Sequence, residues 1–382
     1  MKKNYFKTRL LPLSIAVLFV FTTCLIEDTD PSNMMNLEPM KDQFASYFMI
    51  GNIFSPNDVG GGMISNDRIT RHYAVLTAEN HMKPSYLNPS RGKYSFDTAN
   101  NMVNAARASG MKVVGHTLLW HSQIPKWQID LGTDGNTSKE TALEYMNEYI
   151  TRVVTEFKGK IYSWDVLNEV FPDGVSASAN WETSMRSENP WFKKIGADFV
   201  YEGFKAARLA DSDAILYYND YSLDNVGKAT MVRDMVRDVN NDWLIDPQYD
   251  NRLLIEGIGM QSHHNTGVSA ASVKASLDLF KPLGVRIAIS ELDVLSQSWG
   301  EYSPNRNPPT EAGKARAAQL YGEYFKLFLD YSDIIDRVTF WGVYDEQSWR
   351  KSALPLIFHG NARSFAKDSY YKIIETLENY QR

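Results

Sequence analysis

Glu169 and Glu291 lie far apart in the chain, yet each closes a short apolar run. A pair of carboxylates is what cleavage of a glycosidic bond needs. One, as the acid, protonates the departing oxygen, and the other, ionised, meets the anomeric carbon. Separations of about 5–5.5 Å favour a covalent glycosyl-enzyme and retention, while about 6.5–9.5 Å favours inversion. A structural salt bridge is the plainer account of a lone glutamate, but these two are framed by Asn and Trp. Six polar strings, the glutamates' own among them, follow apolar runs in this way. They are Glu79-Asn80-His81-Met82-Lys83-Pro84, the run from Gly115 to His121, Trp164 to Glu169, Asn219-Asp220-Tyr221, Gln261-Ser262-His263 and Glu291-Leu292-Asp293, with Trp341 closing the last run. Buried without partners, such groups would each cost stability, so their recurrence points to a site. His116, His121, His263 and His264 raise the question of a metal. Their spacings fit no zinc-ligand motif and the carboxylate–amide–tryptophan setting suits sugar, so neither metal nor cofactor is expected.

The elements that must carry these strings alternate regularly. Candidate strands are Tyr47–Ile53, Tyr73–Thr77, Lys112–Gly115, Ile161–Val166, Ala214–Tyr218, Leu253–Gly259, Val285–Ser290 and Arg337–Trp341. Between them lie amphipathic helical patterns. Asp97–Ser109 has Asp97 as candidate N-cap and stops at Gly110, and Thr141–Phe157 carries one apolar face to Gly159. Further helices are read at Phe192–Ala210, Lys228–Val239, Ala270–Leu283, Glu311–Tyr331 and Ser364–Tyr380. Eight strand–helix units imply parallel pairing and closure into a (β/α)8 TIM barrel, an α/β fold in one catalytic domain. An open doubly wound sheet would carry a Gly-rich phosphate turn after its first strand, and Gly60-Gly61-Gly62 does not fit that fingerprint. In a barrel, residues after the strands face one mouth, which is where the polar strings fall.

Composition agrees with a large core and a sugar site. Of 382 residues, 43% are hydrophobic, and 13% are aromatic. Beyond residue 23 the chain carries 36 Lys and Arg against 46 Asp and Glu, a net −10, which makes nucleic acid an unsuitable partner. Lys2, Lys3, Lys7 and Arg9 precede an apolar run from Leu10 to Phe21. As a helix those twelve residues rise only about 18 Å, short of a ~30 Å hydrocarbon core. The pattern reads as an export signal over residues 1–23. Cys24, the chain's single cysteine, follows it and excludes intrachain disulfides; its place resembles the lipidated cysteine of a bacterial lipoprotein. Residues 24–40 are then read as a flexible tether and 41–382 as the catalytic domain. The expected protein is exported, monomeric and held to a bacterial outer membrane by its N-terminal lipid alone, the side being open.

Taken together, these strings resemble the glycoside hydrolase family 10 endo-β-1,4-xylanases, from about Phe44 through Trp349. The matching strings include Gly115 to Gln123, Gly257 to His263, Trp341-Gly342-Val343 and Ser348-Trp349-Arg350, in the family's order. The resemblance implies Glu169 as acid/base and Glu291 as nucleophile, with xylan and xylo-oligosaccharides as ligands. It also implies that Asn168 bonds the sugar 2-hydroxyl and that His263 and Asp293 orient Glu291. Glu79, Asn80, Lys83, His116 and Gln261 would line the non-reducing subsites. Trp120, Trp341 and Trp349 would enclose the sugar at the cleavage point, and Tyr221 would stack on the leaving side. Asp165 and Asp220 are read as supports behind the site, His264 as a loop histidine, and Trp127, Trp181, Trp191 and Trp299 as packing ahead of outlying sugar platforms, which stay open. Near the C-terminus, Phe358-His359-Gly360-Asn361 and Phe365-Ala366-Lys367-Asp368 depart from the family's pattern. Two other readings stay open: a related retaining barrel glycosidase on β-glucan or mannan, and a non-catalytic surface glycan-binding protein.

Overall fold

A computed structural model describes residues 30–303, 308–360 and 363–382. Cys24 and the apolar run before it lie outside the described residues. Eight parallel strands are β1 Met49–Phe54, β2 Val75–Ala78, β3 Lys112–Leu119, β4 Ser163–Asn168, β5 Ile215–Asp220, β6 Gly257–Met260, β7 Arg286–Leu295 and β8 Ile335–Phe340. Each pairs with its successor, and β8 returns to β1 with Met49 opposite Arg337, so the sheet closes. Helices follow in turn: α1 Asp67–His72, α2 Asp97–Ala108, α3 Lys139–Glu156, α4 Asp198–Ala210, α5 Val226–Leu244, α6 Ala270–Phe280, α7 Glu311–Asp330 and α8 Asp368–Gln381. This is the (β/α)8 barrel expected. The strands read as continuous apolar runs because helices bury one face and the barrel interior the other. α3 shows the helix logic: Ser138 caps Thr141 N–H, and Ala142, Met146, Tyr149, Ile150, Val153 and Val154 are buried.

The interior is more polar than the branched aliphatic filling usual for such barrels. Tyr217 lies beneath the Arg337 guanidinium at 4.5 Å, and Asp165, Asn219, Ser290 and Thr339 are buried with them. Glycines make the room. A Cβ at Gly257 would come within 2.2 Å of the Tyr217 ring, and one at Gly259 within 2.2 Å of Asn219 Oδ1. β6 therefore yields its interior space to the side chains of β5.

Several boundaries differ from the sequence reading, each for a local reason. Asp97 is the first residue of α2, and Phe96 holds the cap position. The long helix read over 192–210 is two, Pro190–Ile195 and α4, parted by Gly196 at φ +79°. β6 begins at Gly257 because Asn240 of α5 takes both the N–H and C=O of Ile255, at 2.8 and 3.0 Å. α8 starts at Asp368, not Ser364. Phe365–Ala366 pairs with Phe358–His359, and Lys367 turns inward to Asp345 at 2.7 Å and to the carbonyls of Leu354 and Leu356. The stretch read as a tether is packed from Ser32 onward. Ser32 accepts from Ala366 N–H, Met34 N–H donates to Ser364 C=O, and Met34 and Met40 are wholly buried.

Candidate active site

The backbone ladder runs on past the strand ends and sets the first residues of the mouth. Gln261 N–H donates to Asp220 C=O at 3.0 Å, Glu291 N–H to Gln261 C=O at 3.0 Å, and Trp341 N–H to Leu292 C=O at 3.1 Å. Glu169, Ser222 and Ser262 take positive φ, at 56°, 52° and 60°, as the chain turns off β4, β5 and β6. Such conformations cost a non-glycine residue of order 1 kcal/mol and gather at functional sites. β7 is longer than its sequence reading. It carries Glu291 within it, across a register shift against β8 between Ile289 and Leu292, and its end pairs with His263–Asn265.

Glu291 is buried and surrounded by donors. Asn219 Nδ2 gives it a hydrogen bond at 2.8 Å, and His263 Nε2 lies 3.2 Å from its other oxygen. Burial pushes the Glu291 carboxyl up. His263's bond, the charges of His116 and His263 and Asn219's bond outweigh this and hold it below its ordinary value. His263 Nδ1 in turn lies 3.0 Å from Asp293 Oδ2, which also accepts from Trp349 Nε1 at 2.9 Å. Burial alone would lower the His263 pKa. Asp293's charge and bond, then Glu291's, raise it to about 9, so the ring is an imidazolium at neutral pH.

Glu169 has more open surroundings. Gln261 Nε2 donates to its Oε1 at 3.0 Å, and His121 Nε2 stands 3.9 Å from its Oε2. Asn168 ties the two acids together. Its Oδ1 accepts from Asn219 Nδ2 at 2.9 Å and Gln261 Nε2 at 3.2 Å, leaving Nδ2 on the Glu169 side. Turned over, the same amide would accept from Trp120 Nε1 at 3.2 Å. Two amides from β5 and β6 thus bridge carboxylates from β4 and β7.

These groups face one cavity of about 430 Å³. On one wall Lys83 is buried with Nζ bonded to Asn80 Oδ1 at 3.1 Å and lies 5.2 Å over the Trp120 ring. Burial lowers its pKa, against the charges of Glu291, Glu79 and Glu169. Burial likewise raises Glu79, which Lys83 opposes. His116 is fixed by Asp165 at 2.9 Å and stands edge-on to Trp341 at 5.7 Å. On the far wall Tyr221 takes the Lys228 ammonium over its ring at 3.5 Å and a bond from Arg186 at 2.8 Å. Lys228 also pairs with buried Asp220 at 2.8 Å; burial pushes that carboxyl up to about 6 against Lys228 and Tyr218.

Of the sequence-derived candidates among the described residues, all but Asp293 line this cavity, and Asp293 stands directly behind it on His263. Two readings need correction. His264 is buried against Tyr324, ring to ring at 4.9 Å, and burial pushes its pKa down to about 3. Trp299 is 46% exposed and lines the cavity instead of packing inside, whereas Trp127 and buried Trp191 do pack together at 6.0 Å. Asn52, on β1, is buried and donates to Gly342 C=O at 3.0 Å. Asn219, Arg186, His121 and Arg350 were given no role. Asn219 could have been found from its place at the end of β5; Arg186 sits in an irregular loop that carries no periodic signal.

Two carboxylates in unlike settings, facing one tryptophan-walled cavity at a barrel mouth, place the fold among the barrel glycoside hydrolases. The sequence narrows this. Residues 39–376 match the profile of Glycosyl hydrolase family 10, and the chain belongs to that family. It is 32% identical over 368 residues to endo-1,4-beta-xylanase A of Thermotoga maritima, covering 92% of this chain and 32% of that protein. It is 33% identical over 315 residues to an endo-1,4-beta-xylanase of Geobacillus stearothermophilus, covering 82% and 89%. The chain thus spans about a third of the length of the Thermotoga relatives it matches. Among solved structures it resembles a bacterial Ig-like-domain-containing family 10 xylanase from termite gut, with TM-score 0.86 and 49% identity over 91% of this chain and 79% of that one. Xylanase XynB of Paenibacillus barcinonensis gives TM-score 0.78 and 30% identity over 88% and 98%.

Proposed function

We propose that this chain is an endo-1,4-β-xylanase that hydrolyses internal xylosidic bonds with retention. The observation that carries the reading is the asymmetry between the two acids in one cavity, within a family whose matched members include endo-xylanases. Glu291, held ionised by His263 and Asn219, attacks the anomeric carbon. Glu169 gives its proton to the departing oxygen as the glycosidic C–O bond breaks, leaving a xylosyl ester on Glu291. Glu169 then takes a proton from water, whose oxygen displaces Glu291 and restores both groups. Asn168 Nδ2 serves the sugar 2-hydroxyl, a contact that strengthens as the ring approaches an oxocarbenium ion. The tryptophan walls favour xylose, which lacks the hydroxymethyl group of glucose. Following the product anomer by NMR tests this directly: a β-xylose end must appear first, and an initial α end overturns retention. Reducing-end release from xylan, cellulose and mannan, beside a Glu169→Ala control, separates xylanase from the other two readings.

We also propose that Cys24 is lipidated after cleavage of residues 1–23 and holds the enzyme at a bacterial outer membrane. The basic start, the short apolar run and the single cysteine at its end support this. Incorporation of labelled palmitate into the wild type and not into Cys24→Ser is the expected result; equal labelling overturns it.

A further inference from the structure

Arg350 closes the Ser348-Trp349-Arg350 string and lines the cavity, yet the mechanism above leaves it idle. Its guanidinium carbon lies 3.9 Å from the Trp349 ring and 4.1 Å from the Trp299 ring. Two indoles thus pack against the planar cation, and its N–H donors remain for an acceptor. Among the described residues these donors are unclaimed: Nη1 is buried without a hydrogen-bond partner, and no carboxylate forms an ion pair with the guanidinium. The nearby acid, Asp293, is already committed to His263 and Trp349. Burial draws the Arg350 pKa below its ordinary value, Asp293 opposing, so the cation is desolvated and incompletely compensated. Lys83, the other Lys or Arg lining the cavity, is by contrast bonded to Asn80. Trp299 and Trp349 are 46% and 57% exposed, so the stack forms an open lip on the cleft.

We infer that Arg350, packed against both Trp299 and Trp349, binds the carboxylate of an acidic branch, of the uronic-acid class, on the polysaccharide in the cleft. The inference rests on the proposed function for the chain that carries the branch, but not on its cleavage. A guanidinium edge matches a carboxylate through two parallel N–H···O bonds, which a neutral branch cannot supply.

The test is a pair of xylo-oligosaccharides that differ in one group: one with a single glucuronic acid branch, the other its carboxyl-reduced twin. Their Kd values are measured calorimetrically on the full chain carrying Glu169→Gln, which prevents turnover. The acid should bind about tenfold tighter than its twin, an advantage that shrinks with added salt. Arg350→Gln on the same background should erase that advantage, and Arg350→Lys should keep part of it. Equal Kd values for the twins, an advantage that survives Arg350→Gln, or an equal loss for both ligands overturns the proposal; the last makes Arg350 a prop for the indoles. Cleavage of unbranched xylan by the wild type is scored separately. Its absence sinks the proposed function, while the Kd pair still decides the carboxylate site.

Discussion

Around Glu291 the chain gathers charge: an imidazolium from β6's extension, an amide from β5 and, behind them, Asp293 and Trp349. Around Glu169 the carboxylate's hydrogen-bond donors are neutral amides, Gln261 at 3.0 Å and Asn168 at 3.5 Å, with His121 at 3.9 Å and Arg186 bonded to the backbone carbonyl instead of the carboxylate. The Glu169 side chain is also the more open, 15% exposed against 6% for Glu291. One residue type at one end of one barrel is thereby given two characters. A carboxylate locked among donors keeps its charge and its direction, as a nucleophile must. A carboxyl on a turn, bonded by neutral amides, can exchange its proton with a leaving group and with water.

The contrast can be broken most severely at Glu291. Glu291→Ala should lower kcat by roughly 10⁴-fold or more on every xyloside, activated or not, because no covalent intermediate can form. Glu169→Ala should cost about 10²–10⁴-fold on xylan, yet much less on aryl xylosides whose leaving groups need no proton. Equal losses on both substrate types would mean that the two acids are not differentiated as their surroundings imply. A smaller effect concerns His263, whose pKa is raised from 6.5 to about 9. A raised folded-state pKa contributes stability that is fully present below the unfolded value and is lost as pH climbs through the folded one. Thermal midpoints of the wild type should therefore fall between about pH 7 and pH 9.5, with activity declining over the same range. His263→Gln should be less stable at pH 7 and lack this alkaline slope; a slope that persists would remove His263 from its pairing with Asp293 and Glu291.

How much of this was legible from the sequence depends on whether periodicity or tertiary contact decided the outcome. The eight strands were visible as apolar runs because both their faces are buried, and the polar strings after them marked the mouth. Boundaries failed where a side chain from elsewhere replaced local structure. Asn240 unzips the start of β6, Gly196 splits a helix, and Lys367 turns inward to Asp345 and delays α8. The site candidates came through their adjacency to strand ends and a family resemblance. Trp299 and Arg350 escaped because a loop tryptophan reads alike whether it faces core or cleft. Asn219 escaped in part, since only the closed barrel shows that it touches Asn168 and Glu291 at once.

The finest test of the contrast reaches Glu291 without touching it. Gly259 is not among the residues lining the cavity, but a Cβ there would lie 2.2 Å from Asn219 Oδ1, an atom already accepting from Ser290 Oγ at 2.6 Å. In Gly259→Ala the Asn219 amide must shift, and its Nδ2 must then leave Glu291 Oε1, where it sits at 2.8 Å. Overpacking of this kind costs about 1–3 kcal/mol of stability, and the nucleophile also loses a donor. Roughly tenfold lower kcat with little change in KM is expected, the loss of one charge-assisted hydrogen bond being of that order. Glu169 keeps Gln261, so proton delivery to the leaving group is untouched, and poor and activated substrates should suffer alike. That uniformity sets Gly259→Ala apart from any disturbance on the acid's side. Asn219→Ala should lower kcat by a similar factor, and the double variant should be no worse than the worse single one, since both act through the same bond. Additive losses would place the effect of Gly259 somewhere other than the amide between β5 and Glu291.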